Sequence, residues 1–123
     1  MSGRQATARR PGAAGHAGLE GREIVMAPGD CTGWHYHRVR LIAVVRSGTL
    51  TRILHDDSVE VHRAGTSFTE PPGARHIHLG RNLGSEPVVL YVTCEALPEG
   101  AAFSIPAHGP PGATACACSG TAR

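Results

Sequence analysis

Between residues 21 and 103, short apolar or alternating runs are separated by turn-forming clusters at close intervals. Glu23–Ala27 ends at Pro28-Gly29-Asp30, and Gly33–His37 follows. Leu41–Arg46 is an apolar, β-branched run closed by Ser47-Gly48, and Thr49–Leu54 is closed by His55-Asp56-Asp57. Ser58–Arg63 sets Val59 and Val61 on one face and Glu60 and His62 on the other, which places His62 on an exposed polar face. Thr66–Glu70 runs into Pro71-Pro72-Gly73, Arg75–Arg81 alternates, and Pro87–Glu95 is the longest apolar run. Val44, Val88, Leu90 and Val92 read as core. Evenly spaced short strands without a helical stretch predict an all-β sandwich or barrel.

The flanks lack this pattern. Residues 1–20 are rich in Ala, Gly and Arg, and residues 104–123 (SIPAHGPPGATACACSGTAR) show no periodicity. The expected organisation is a flexible N-terminal arm (1–20), a β-barrel domain (21–103) and a flexible C-terminal tail (104–123). With 123 residues the chain holds one domain. A barrel of this size buries only about 60% of its unfolded surface. A homodimer is the expected way to cover more apolar area.

Charge is nearly balanced, with 12 basic and 10 acidic residues, so no nucleic-acid partner is expected. No apolar run approaches the ~18 residues of a membrane span. No apolar stretch follows Arg4, Arg9 and Arg10, as a secretory signal requires, so a cytoplasmic location is expected. Cys31, Cys94, Cys116 and Cys118 do not form the pattern of a disulfide framework. Cys31 reads as an ordinary loop thiol. Cys116-Ala117-Cys118 with His108 fits no common zinc-finger spacing.

Histidine changes the picture. The chain has 8, and four of them form His35-Tyr36-His37 and His76-Ile77-His78. On a strand, residues two apart face the same side, so each pair aims two imidazoles into one space. Two such pairs on neighbouring strands would converge on one divalent transition metal, since Zn²⁺, Fe²⁺, Ni²⁺ and Mn²⁺ all accept imidazole nitrogen.

These residues carry a resemblance to the cupin family. Its first motif, G-x5-H-x-H-x3-E-x6-G, is matched by Gly29, His35, His37 and Gly48, with Leu41 at the glutamate position. Its second, G-x5-P-x-G-x2-H-x3-N, is matched by Gly65, Pro71, Gly73, His76 and Asn82, with two extra residues before the asparagine. The resemblance spans residues 22–97 and implies a double-stranded β-helix, or jelly-roll cupin barrel, with a metal inside. It implies His35 and His37 as ligands. Counting from Gly73 makes His76 the third ligand, and counting back from Asn82 makes it His78. The second count is preferred, with His76 as a fourth ligand or a catalytic base. The missing glutamate leaves an all-histidine site, or one completed by another residue. Glu70 is the carboxylate close to the second motif: a ligand, a general base or an orienting partner. Arg38, Arg40 and Arg75 are either substrate-carboxylate contacts or solubilising strand-edge charges.

The resemblance implies a metal-binding cupin acting on a small organic molecule. An Fe(II)-type dioxygenase comes first, and a metal-assisted isomerase, cyclase or lyase second. Fe²⁺ is favoured, with Zn²⁺, Ni²⁺ and Mn²⁺ open. The competing expectation is a non-catalytic module that binds a small ligand or a partner.

Overall fold

The structure, a computed structural model, describes residues 4–5 and 18–113. Among the described residues ten strands follow in chain order: β1 (Arg4–Gln5), β2 (Leu19–Met26), β3 (His35–Tyr36), β4 (Leu41–Ser47), β5 (Thr49–Leu54), β6 (Val59–Arg63), β7 (Ser67–Glu70), β8 (His78–Arg81), β9 (Val88–Glu95) and β10 (Ile105–Pro106). They form two five-stranded sheets, ordered β1-β2-β9-β4-β7 and β10-β3-β8-β5-β6. Every pairing is antiparallel. Among the described residues the helical content is a 3-10 turn, Ala74–His76. This is the all-β, two-layer barrel that the strand pattern predicts.

Strict alternation sets the first sheet. β4 buries Leu41, Ala43 and Val45, and β9 buries Val88, Leu90, Val92 and Cys94. Burial of each such Val or Leu contributes about 1.5–3 kcal/mol. Val44, expected in the core, lies on the outer face and is 37% exposed. The period-two repeat that turns Leu41, Ala43 and Val45 inward leaves it no other side. From the second sheet Leu50 joins this core, as do Leu97 and Phe103 from the segment after β9.

β6 departs from expectation. Val59 and Val61 face solvent at 61% and 56% exposure. Glu60 and His62 are half-buried on the inner side, so His62 is not on an exposed face. The cause lies on β5, where Arg52 points inward and is the direct cross-strand partner of Glu60. A buried cation has to be paired, and that requirement overrides the placement of two valines.

The paired structure also extends beyond 21–103. β2 starts at Leu19, and its Glu20 is buried and accepts a hydrogen bond from the Leu97 amide. β1 pairs with β2. β10 lies inside the expected C-terminal tail, yet it pairs with β3, and the Ala107 amide donates to the Trp34 carbonyl. Gly109 sits so close to the Trp34 indole that a Cβ would collide with it. Residues 1–3, 6–17 and 114–123 lie outside the described residues.

Two glycines at strand reversals separate backbone strain from crowding. Gly48 joins β4 to β5 at φ +79°, and a Cβ there would come within 2.8 Å of Val88 Cα. Gly65 has φ +95° with open space around it. Gly48→Ala should therefore cost about 3 kcal/mol or more, combining left-handed strain and backbone overlap. Gly65→Ala should cost only the strain, about 1–2 kcal/mol. Urea denaturation of both variants measures the difference, and equal losses would refute the crowding at Gly48.

Candidate metal centre

The first histidine pair straddles the end of β3, with His35 inside the strand and His37 just after it. His78 opens β8 and is the cross-strand partner of His35. This register brings the rings together. Centroids lie 4.4 Å apart for His35 and His78, 4.9 Å for His35 and His37, and 5.2 Å for His37 and His78. One nitrogen from each of the three falls within 4.8 Å of the others.

Backbone carbonyls orient all three rings. Nδ1 of His35 donates to Gly33 O at 2.8 Å, Nδ1 of His37 to Phe103 O at 2.9 Å, and Nδ1 of His78 to His76 O at 2.8 Å. A carbonyl can only accept, so each Nδ1 carries a proton. In the neutral rings each Nε2 is then a lone pair, the form a metal binds.

Glu70 arrives from β7 in the opposite sheet and is 6% exposed. Its Oε1 lies 3.2 Å from His37 Nε2 and 3.1 Å from His78 Nε2. Its Oε2 lies 3.0 Å from an Arg52 guanidinium nitrogen. His78 Nε2 is buried and makes no hydrogen bond despite that close carboxylate oxygen. Imidazole lone pairs facing a carboxylate oxygen repel unless a proton or a metal cation sits among them. Three nitrogens and one oxygen suit Zn²⁺, Fe²⁺, Ni²⁺ or Mn²⁺, so the residues fit the metal that the sequence implies. The carboxylate source is also explained. Glu70 is the direct cross-strand partner of Leu41, the position where the first motif would carry its glutamate.

The environment sets the charges. Burial, with the neighbouring charge of His78 next in size, lowers the His35 pKa from 6.5 to about 4, against the pull of its Gly33 hydrogen bond and of Glu70. The ring is neutral at pH 7. Burial pushes the Glu70 carboxyl up, but without a metal the hydrogen bonds that His37 and His78 donate when Nε2 carries a proton, together with the charges of His78 and Arg52, outweigh it and hold the group well below the usual carboxylate range.

Of the two histidines in the second motif, His78 joins His35 and His37, and His76 does not. His76 ends the 3-10 turn, half-buried, with its ring edge-on to His55 at 5.6 Å. It serves the group through its backbone carbonyl. The extra residues are taken up in the turn, which is tied to the centre by the Gly73 amide donating to His37 O at 2.8 Å. Arg38, Arg40 and Arg75 are exposed. His55 sits in an exposed turn, and His108 is exposed as well. Cys31, expected as a loop thiol, is disulfide-bonded, while Cys116 and Cys118 lie outside the described residues.

Two residues escape the sequence reading. Arg52 has a signal, since it shares a face of its strand with Leu50 and Leu54, an apolar row with one cation in it. Phe103 has none, lying beyond the last strong apolar run. Its carbonyl orients His37, its ring lies 4.7 Å from the His37 ring, and the Arg22 guanidinium stacks over it at 4.0 Å.

The family model for the cupin domain matches residues 21–94. Among solved structures, a cupin 2 conserved barrel domain protein from Salinispora arenicola CNS-205 is 26% identical, with a TM-score of 0.65 over 76% of this chain and 75% of that one. A protein with a double-stranded β-helix domain from Klebsiella pneumoniae subsp. pneumoniae MGH 78578 is 20% identical, with a TM-score of 0.62 over 82% and 85% of the two chains, a likeness of fold alone. A recombinant oxalate oxidase in complex with glycolate is 26% identical, with a TM-score of 0.59 over 70% of this chain and 46% of that one. The chain thus spans less than half of the oxidase. No curated protein sequence matches the chain.

The depressed His35 pKa has a consequence for stability. Between about 4 and 6.5 the unfolded chain binds more protons at this residue than the folded protein does. The stability of metal-free protein therefore falls as pH drops through that window, by up to about 3 kcal/mol. Glu70, whose folded pKa is depressed, adds a loss in the same direction at lower pH. Urea denaturation at pH 7 and pH 4.5 should show this fall, and His35→Gln should flatten it. An equal fall in wild type and variant would contradict the assignment.

Proposed function

Since this chain belongs to the cupin domain family, we propose that it is a metalloenzyme holding one divalent transition metal on His35, His37 and His78, with Glu70 as the carboxylate ligand. The observation that carries this reading is the set of carbonyl-held Nδ1 protons, which turns all three Nε2 lone pairs toward one another. A bound ion supplies Lewis acidity and, when it is iron, redox chemistry with O₂.

The protein's own charges select the substrate. Three neutral imidazoles add no charge, and the Glu70 carboxylate is matched by the Arg52 guanidinium beside it. The metal's positive charge is therefore left for a substrate to neutralise. A small chelating anion, a carboxylate or a thiolate, answers that demand best. Phe103 packs on the His37 ring, and His37 and His78 are 3% and 4% exposed, and this exclusion of water strengthens electrostatic attraction there. Oxidation by O₂ of a small organic acid or thiol is the reaction class we favour, with Fe²⁺ as the metal. The likeness to an oxalate oxidase that binds glycolate supports an organic acid. His76 stands near His55, outside the ligand group, and in this reading it is neither a ligand nor the base.

Metal content and O₂ uptake test the proposal together. Wild-type protein purified without chelator should hold about one equivalent of metal. His35→Ala and His78→Ala should lose it, and His76→Ala should keep it. Iron-loaded wild type should consume O₂ with oxalate, glycolate or a small thiol. Failure to take up Fe²⁺, Zn²⁺, Ni²⁺ or Mn²⁺ would sink the metal reading and leave a barrel kept for binding. Metal uptake without O₂ consumption, combined with anaerobic turnover, would replace oxidation by isomerase or lyase chemistry.

A further inference from the structure

Arg52 is 5% exposed on β5, and it stands outside the three-histidine group that would hold a metal. Its surroundings are specific. One guanidinium nitrogen lies 3.0 Å from Glu70 Oε2, and the other lies 2.8 Å from Glu60 Oε1. The guanidinium face sits over the Phe68 ring at 4.3 Å, and Nε is buried without a partner. Glu60 Oε1 is also 2.8 Å from His62 Nε2, and the His62 ring packs against Phe68 at 4.5 Å. A chain of contacts thus runs from the metal group through one cation to a half-buried carboxylate near the surface. β6 turns two valines out to solvent to make it.

Building on the metal reading above, we propose that Arg52 is a positioning residue: it ties down Glu70 Oε2, so that Oε1 alone faces the imidazoles, and Glu60 holds Arg52 in that pose. A free carboxylate can offer a metal one oxygen or both. With Oε2 engaged by the guanidinium, Glu70 is confined to one. Arginine is needed for geometric reasons. Its planar fork reaches two carboxylates at once while its face lies on an aromatic ring, whereas a lysine ammonium is a single compact charge. Glu60 and His62 point inward because the outer half of that fork has to be satisfied as well.

The test uses the full chain with Co²⁺ as the probe in wild type, Arg52→Met, Arg52→Lys and Glu60→Gln. Affinity is read by competition with a chromophoric chelator, and ligand geometry by the visible absorption of bound Co²⁺. Arg52→Met should bind about 10–100-fold more weakly, with an altered Co²⁺ spectrum that a purely structural role would not produce. Arg52→Lys should recover part of the affinity but not the wild-type spectrum. Glu60→Gln should weaken binding by about 2–5-fold with the spectrum kept, a smaller effect because the group lies one contact further out. Wild-type affinity and spectrum in Arg52→Lys would overturn the proposal even if Arg52→Met does not fold, and the metal reading would stand. Wild-type affinity in Glu60→Gln would overturn the part assigned to Glu60. Absence of Co²⁺ binding in wild type would remove both readings.

Discussion

A carboxylate buried between two sheets, with its oxygen 3.1 and 3.2 Å from two imidazole nitrogens, is tolerable only where positive charge is close. Glu70 is in that position. The first sheet supplies the carboxylate, and the second supplies the histidines and Arg52. The electrostatics of the centre therefore depend on how the two layers face each other. Several features follow from that demand: the inward arginine on β5, the inward glutamate on β6, and the exposed Val59 and Val61 that share β6 with it. A core satisfied by apolar packing alone would have put those valines inside.

The strand pairing also sets a carboxylate directly opposite the motif position that carries a leucine. Leu41 and Glu70 face each other across β4 and β7. Side chains directly opposite on an antiparallel pair stand about 4.5–5.5 Å apart at Cβ. A carboxylate can cross from one strand to its neighbour and still reach the same point. Leu41 then packs into the core cluster, as a leucine on an inward row should. The strand that acquires the carboxylate must bring a counter-charge with it. Arg52 meets that need from the adjoining sheet.

Much of this was legible in the sequence. Period-two runs and turn clusters marked most of the strands. His35-Tyr36-His37 and His76-Ile77-His78 contain the three histidines that the fold brings together, His35, His37 and His78. What escaped did so for identifiable physical reasons. Val44 sits in an apolar run, and local pattern does not say which alternate residues face inward. The orientation of β6 depends on Arg52, a cross-strand partner that only register reveals. Glu70 was visible as a nearby carboxylate, but its relation to Leu41 is a property of pairing and not of spacing. β10 and Phe103 lie in a segment without periodicity, where two paired residues and one carbonyl leave no pattern to read.

That segment bears directly on the centre. The carbonyls that orient the imidazoles come from Gly33 before β3, His76 in the 3-10 turn and Phe103 after β9. The first two are local, each two residues from the histidine that it holds. The third spans the chain, and what holds Phe103 in turn comes from β2. Arg22 stacks on its ring, and Glu20 accepts the Leu97 amide at the start of the same segment. The orientation of His37 is thus coupled to the N-terminal strand through the C-terminal segment. A barrel cut at its last long strand would keep all three histidines and lose the carbonyl that fixes the proton on one of them. With that proton free to move to Nε2, His37 would present a donor in place of a lone pair. The geometry of the histidine group therefore depends on chain that neither motif describes.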